Sequence, residues 1–223
     1  MADSQSDVIT VVSQPFAQNT YIAYVPGRTD CVVFDPGLEP DKILGVLDDH
    51  HLVPSAILCT HGHLDHVAGN SALKSRWPEC PLVIGVGDAD KLTDPVGNLS
   101  AGYGLPMVSP PADAKVREGD VYETAGLRLL VFETPGHSRG HVTFVDRQST
   151  PVRIFSGDVL FERGIGRYDF PDANFEQLRA SIHEKLFAEP NDAIVYTGHG
   201  STTTIGAEKK YNPFVGAAAG YDV

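Results

Sequence analysis

The sequence predicts a layered α/β protein. Three observations carry this reading. Short apolar runs alternate with amphipathic stretches along most of the chain. Apolar residues make up 42% of the chain and charged residues 21%, an ordinary balance for a globular protein with a sizeable core. Four clusters rich in His, Asp, Gly and Thr each stand directly after an apolar run, and strand ends are where sites assemble in layered α/β proteins.

An antiparallel meander opens the chain. Its apolar runs lie at 8–12, 21–25 and 31–34, with turns at Pro26-Gly27 and Asp35-Pro36-Gly37. Residues 40–49 read as a helix with Ile43, Leu44 and Leu47 on one face. A βα rhythm follows. Residues 56–60 are a short buried strand running into His61, residues 67–77 a helix, and residues 81–85 another strand. Residues 94–111 are rich in Gly and Pro, lack periodicity and are long for a plain connection. They are expected to fold over a site. The second half repeats the rhythm, with strands at 127–133, 141–146, 153–155 and 193–196. Residues 174–188 form an amphipathic helix with Phe175, Leu178, Ile182 and Leu186 inward, and Asn174 with Gln177 resembles a capping box. No repeat, low-complexity tract or linker is visible. At 223 residues the chain suits one domain or two tightly packed halves.

Charge and composition exclude several roles. The net charge of −12, from 17 basic and 29 acidic residues, disfavours a nucleic-acid partner. No apolar run approaches the roughly 20 residues that span a bilayer. The N-terminal stretch MADSQSDVITVV has acids where a signal peptide carries bases, so a cytoplasmic location is expected. Cys31, Cys59 and Cys80 are odd in number and far apart, and read as buried thiols.

The chemistry is concentrated in His61-Gly-His63-Leu-Asp65-His66. This stretch holds four metal-ligating side chains and is too short for a zinc finger. His137, Asp158 and His199 follow at wide spacing, in Thr-Pro-Gly-His, Ser-Gly-Asp and Thr-Gly-His contexts. Five imidazoles and two carboxylates without a thiolate suit two divalent ions in an open, water-bearing site, and so hydrolysis. Side chains two apart on an extended segment point the same way, so His61 and His63 share one ion with His137. Asp65, His66 and His199 take the second, and Asp158 bridges. Zinc fits this donor set best, with iron or manganese as alternatives. Two divalent ions, two carboxylates and a hydroxide leave the centre about +1, a positive spot in an acidic protein. Other polar residues fit two roles each. Asp35 either orients a ligating histidine or makes the turn before Pro-Gly. His141 either supports the ligands or is structural. His50 and His51 close a helix C-terminus, and His183 lies on a polar helix flank.

With these residues in place, the chain resembles the metallo-β-lactamase-fold hydrolases. Within them it is similar to the short bacterial members of the glyoxalase II, or hydroxyacylglutathione hydrolase, type. The likeness runs through PFAQNTYIAY, FDPG, CTHGHLDHVAG, TPGHSRGHVTF, FSGDVLFERGIGRYDFP and YTGHGSTTTIGAEKKYNPF. The resemblance implies a four-layer αββα sandwich with a dinuclear site at one edge, and the ligand set already read. It also implies hydrolysis of the thioester S-D-lactoylglutathione to D-lactate and glutathione, a small-molecule acyl-thiol substrate. Asp65 would aim the attacking hydroxide through a hydrogen bond. A thiolate of pKa near ~8.5 leaves with little help from a general acid. Long glyoxalase II enzymes add a helical C-terminal domain that grips glutathione. Only residues 200–223 follow His199, so that domain is expected to be missing and residues 1–223 to form a single domain. Arg163, Arg167, Lys209 and Lys210 are candidates for an anionic tail. The lysines read better as a solvated helix face, whereas Arg167, inside GIGRYDFP, is expected at or near the site.

Other readings share the fold. A persulfide dioxygenase with one iron held by His61, His137 and Asp158 has similar GRYDF and His183-Glu184-Lys185 segments, and the full second ligand set argues against it. A lactonase has like metal motifs. A β-lactamase usually carries Cys where Asp158 stands and is exported, and a nuclease needs a basic surface.

Overall fold

A strand with two apolar faces must be covered on both sides, and this decides the layering. The computed structural model describes residues 6–223. Residues 1–5, part of the N-terminal stretch judged above, lie outside the described residues. The strands β1 (Asp7–Ser13), β2 (Gln18–Tyr24) and β3 (Asp30–Phe34) form the antiparallel meander. After helix α1 (Pro40–Asp49), β4 (Val53–Cys59) pairs parallel with β3. Two short helices follow, α2 (Leu64–Val67) and α3 (Asn70–Arg76), and then β5 (Leu82–Gly85) and β6 (Ala114–Val116), each added in parallel. These six strands make the first sheet, in chain order.

The second sheet has the order β14-β13-β10-β9-β8-β7. Its members are β7 (Val121–Thr124), β8 (Leu127–Glu133), β9 (Val142–Asp146), β10 (Arg153–Gly157), β13 (Ile194–Thr197) and β14 (Thr203–Thr204). A small ribbon, β11 (Leu160–Phe161) with β12 (Gly164–Ile165), projects after β10. Helix α4 (Phe175–Ser181) continues through a π-helical turn at Ile182–Leu186, and α5 (Ile205–Tyr211) follows β14.

Alternation along β3 shows how the layers separate. Val32 and Phe34 enter the core between the sheets, while Cys31 and Val33 face the core under α1 and α3. Leu178, Ile182, Leu186 and Ile205 cover the outer face of the second sheet. Three apolar layers between four structural layers make an αββα sandwich, as the resemblance implied. Among the described residues no helix is long and apolar enough to cross a membrane.

Several elements depart from the sequence reading. The helix expected over 67–77 is broken, because the Gly69 amide bonds back to the Pro36 carbonyl (2.8 Å) and ends one helix before the other starts. The helix expected over 174–188 is present with its predicted cap, the Asn174 side chain accepting from the Gln177 amide (3.0 Å). Phe175 is only half-buried, however, and packs on Tyr168 instead of the core. The sequence reading did not contain β6, β7, the β11–β12 ribbon or β14, and α5 is the helix on whose solvated face Lys209 and Lys210 were expected. The 94–111 segment is anchored by buried Asn98 and Ser100, and the Asn98 carbonyl accepts from the Leu64 amide (2.9 Å). It therefore lies against the start of α2, as expected of a segment covering a site.

Phe34 is stacked on Phe155 (3.9 Å between centroids) and meets Phe144 edge-on, so it joins the two sheets. Phe34→Ala is expected to cost about 3–5 kcal/mol in urea unfolding. A loss below about 1 kcal/mol would contradict this packing.

Candidate metal centre

Four strand exits deliver the donors. β4 ends at Cys59 and runs through Thr60-His61-Gly62-His63 into α2, whose first turn carries Asp65 and His66. His137 lies between β8 and β9, Asp158 just after β10 and His199 just after β13. β4 belongs to the first sheet and the other three strands to the second, so the cluster straddles both sheets at one end of the sandwich. All seven residues read from the sequence meet there. Gly198 is required next to them, since a Cβ at that position would strike the Asp158 carboxylate and the His66 ring.

The donors fall into overlapping groups. His61, His63 and His137 form one, His61, His66 and Asp158 another, and Asp65, His66 and His199 a third. Within each, the donor atoms all lie within 4.8 Å of one another. Asp158 reaches both sides of the cluster. Its Oδ2 is 3.5 Å from His137 Nε2 and 3.5 Å from His199 Nε2, and its Oδ1 is 3.2 Å from His66 Nε2. The second group also joins His61 to His66, a closeness the sequence reading did not contain.

The far ring nitrogens are fastened from behind. His66 Nδ1 meets Asp35 Oδ2 (3.0 Å), His61 Nδ1 meets Thr60 Oγ1 (3.1 Å), His137 Nδ1 meets the Arg167 carbonyl (2.8 Å), and His199 Nδ1 meets the Phe16 carbonyl (3.0 Å). A ring held through Nδ1 presents Nε2 to the centre. Asp35 thus takes the orienting role. It also accepts from the Thr60 amide and hydroxyl, both at 2.7 Å. His141 likewise supports the site, its Nε2 accepting from the Asp158 amide (3.1 Å).

Donor atoms are left over. Nε2 of His61 is buried without a hydrogen-bond partner, His66 Nε2 and Asp158 Oδ1 have only each other at 3.2 Å, and His63 turns Nδ1 toward His137 Nε2 (3.0 Å). An unpaired buried polar atom costs about 1–3 kcal/mol, and so many ring nitrogens and carboxylate oxygens facing one another favour a bound cation. A cation of oxygen- and nitrogen-loving character fits them.

Electrostatics divides the rings. Burial, reinforced by neighbouring cationic groups, pushes His61 and His63 well below the usual imidazole range. Burial also opposes charge on His66, but the carboxylates of Asp158, Asp65 and Asp35 hold it well above that range. His199 is raised to about 10 against the effect of burial, chiefly by Asp158. Burial works against ionised Asp158 too, yet His66 and His199 keep its carboxyl well below the carboxylate range.

A cleft of about 240 Å³ opens onto the cluster. Its walls are mainly apolar, including Phe16, Leu99, Tyr103, Phe161, Ile165 and Phe170. Composition and periodicity did not reveal these wall residues, because most come from turns and short ribbons. Arg167 is among the residues that line the cleft. Its guanidinium lies over Phe170 (4.3 Å) and bonds Asp169 at 2.9 and 2.8 Å. Arg163, Lys209 and Lys210 do not line the cleft. Arg163 and Lys210 flank the Tyr211 ring, and Lys209 bonds Asn191.

A sandwich of this layering with histidines and carboxylates gathered at one end defines a class of metal-binding proteins. The chain belongs to the Metallo-beta-lactamase superfamily, whose family model matches residues 14–199. It is 34% identical over 203 residues to the hydroxyacylglutathione hydrolase GloC of Haemophilus influenzae, covering 90% of this chain and 93% of that one. The solved structure of the BLEG-1 B3 metallo-beta-lactamase superposes with a TM-score of 0.88 at 34% identity, covering 94% of this chain and 99% of that chain. TTHA1623 in a di-iron-bound form superposes with a TM-score of 0.80 at 35% identity, covering 93% and 100% respectively.

In the metal-free chain the raised His66 and His199 carry protons near neutral pH, and a cation must displace them. Metal affinity is therefore expected to rise with pH up to about 10, the value to which His199 is raised, with roughly one or two protons released on loading near neutral pH. Titration calorimetry in buffers of different ionisation enthalpy measures the release. A heat independent of buffer would contradict the protonation pattern.

Proposed function

We propose that this protein is a metal-dependent thioester hydrolase of the hydroxyacylglutathione hydrolase type, cleaving S-D-lactoylglutathione to D-lactate and glutathione. The observation that carries the reading is the pair of three-donor groups, His61–His63–His137 and Asp65–His66–His199, with Asp158 within reach of both. The likeness to GloC supports the thioester, and the likeness to a di-iron protein supports two ions. The first group would hold one ion and the other group the second, with Asp158 within reach of both. Zinc is the first choice, with iron or manganese compatible with the same donors.

Two divalent ions held there would supply a nucleophilic hydroxide at neutral pH and positive charge at the thioester carbonyl oxygen. The protein's own groups do the rest. Asp65, on the cleft wall and 3.2 Å from His199, is placed to accept a hydrogen bond from the attacking hydroxide and aim it. Arg167 is the one Lys or Arg among the cleft-lining residues and is placed for an anionic end of the thiol half. A thiolate whose conjugate acid has a pKa near ~8.5 is a good leaving group, so it departs with little help from a proton donor.

The assembled Asp65–His66–His199 group weighs against a mononuclear-iron persulfide dioxygenase. The likeness to a solved B3 metallo-beta-lactamase makes a β-lactam a substrate to test, so the deciding experiment is a substrate panel. The metal-loaded protein is expected to hydrolyse S-D-lactoylglutathione faster than a β-lactam or a lactone, and to consume no oxygen with glutathione persulfide. Oxygen uptake, or a preference for the β-lactam, would contradict the proposal.

Asp158→Ala is expected to lower kcat at least about 100-fold and to cut metal content, measured by elemental analysis. His183 serves elsewhere. Its Nε2 donates to the Val215 carbonyl (2.8 Å) and its ring stacks on Phe187 (5.5 Å), so His183→Ala is expected to change turnover no more than about twofold. A large loss in His183→Ala would mean that the site is misplaced.

A further inference from the structure

We propose that Asp88 is a positioning residue for the His61–His63–His137 half of the centre, locking the two loops that carry those histidines against each other. The proposal rests on the metal-centre reading above.

Asp88 follows β5, touches no donor of the cluster and is fully buried. Its carboxylate contacts two ligand loops and a lysine. Oδ2 accepts from the Gly62 amide (3.0 Å), between His61 and His63, and from the Ser138 hydroxyl (2.7 Å), next to His137. Oδ1 accepts from the Gly140 amide (2.9 Å) and lies 3.2 Å from Lys91 Nζ. One side chain from the first sheet thus joins the His61–His63 loop to the His137 loop of the second sheet. The backbones meet closely here. A Cβ on Gly140 would strike the Asp88 amide and Gly87. Lys91, nearly buried, holds the assembly from the other side through Asp172 (2.7 Å), and Asp172 accepts from the Arg139 amide (3.1 Å).

The other half of the centre has separate fastenings. His66 is held by Asp35 and His199 by the Phe16 carbonyl, and neither involves Asp88. In Asp88→Asn one carboxylate oxygen becomes an amide group that faces N–H or O–H donors, and the two loops must separate. The geometry therefore requires a selective effect on one ion.

The test is zinc titration of the chelator-stripped full chain, with each affinity measured in two single-ion backgrounds. In His199→Ala, which leaves the first half intact, adding Asp88→Asn is expected to weaken zinc about tenfold. In His137→Ala, which leaves the second half intact, the same addition is expected to change affinity less than threefold. Asp146→Asn, an equally buried carboxylate that bonds the 148–149 turn, is the control for general destabilisation and should move neither affinity. A loss below threefold in the first background, or equal losses in both, overturns the proposal. If Asp88→Asn does not fold, Ser138→Ala replaces it. A weakening of about threefold confined to the first background supports the proposal, and no change overturns it. Failure of the dinuclear reading would show separately, as wild-type protein binding fewer than two ions.

Discussion

Five imidazoles and two carboxylates are pressed together at the end of two sheets, and their lone pairs outnumber the protons available to share. This is the constraint on which the remaining structure depends. Buried polar atoms without partners are costly, and here His61 Nε2 has none while His66 Nε2 and Asp158 Oδ1 have only each other. The surrounding protein does not relieve them. It fixes the far nitrogens of four rings with a carboxylate, a hydroxyl and two backbone carbonyls, so the near nitrogens stay aimed inward. Such an arrangement is favourable only with cations present.

The sandwich explains how so tight a cluster can be built. β4 lies in one sheet and β8, β10 and β13 in the other, and their ends converge because the sheets pack face to face through Phe34, Phe144 and Phe155. Buried carboxylates then connect the loops beyond the strand ends. Asp35 ties β3 to Thr60 and His66, and Asp88 ties β5 to the loops around Gly62 and Ser138. The donors sit on short loops with rigid origins, the condition for holding a charged constellation in place.

The candidate donors were legible in the sequence because each of the four clusters that carry them stands directly after an apolar run, and because His61 and His63 keep the two-residue spacing of an extended segment. The long core strands were legible for the same reason, since strong apolar runs leave little choice. The short edge strands were not. β6, β14 and the β11–β12 ribbon span two or three residues each, too few for a period to show. The break between α2 and α3 depends on a contact with Pro36, distant in sequence, that no local propensity records. The cleft walls come from turns, where neighbours are set by tertiary packing. Asp88, in Gly-Val-Gly-Asp, reads locally as a turn residue, and only the folded chain shows what it touches.

The most direct test of the central claim is a crystal structure of the protein grown with zinc, with anomalous scattering used to locate the ions. Two peaks about 3.5–4 Å apart, one among His61, His63 and His137 and the other among Asp65, His66 and His199, with Asp158 touching both, are the expected result. A single ion, or ions bound away from these seven side chains, would contradict the account.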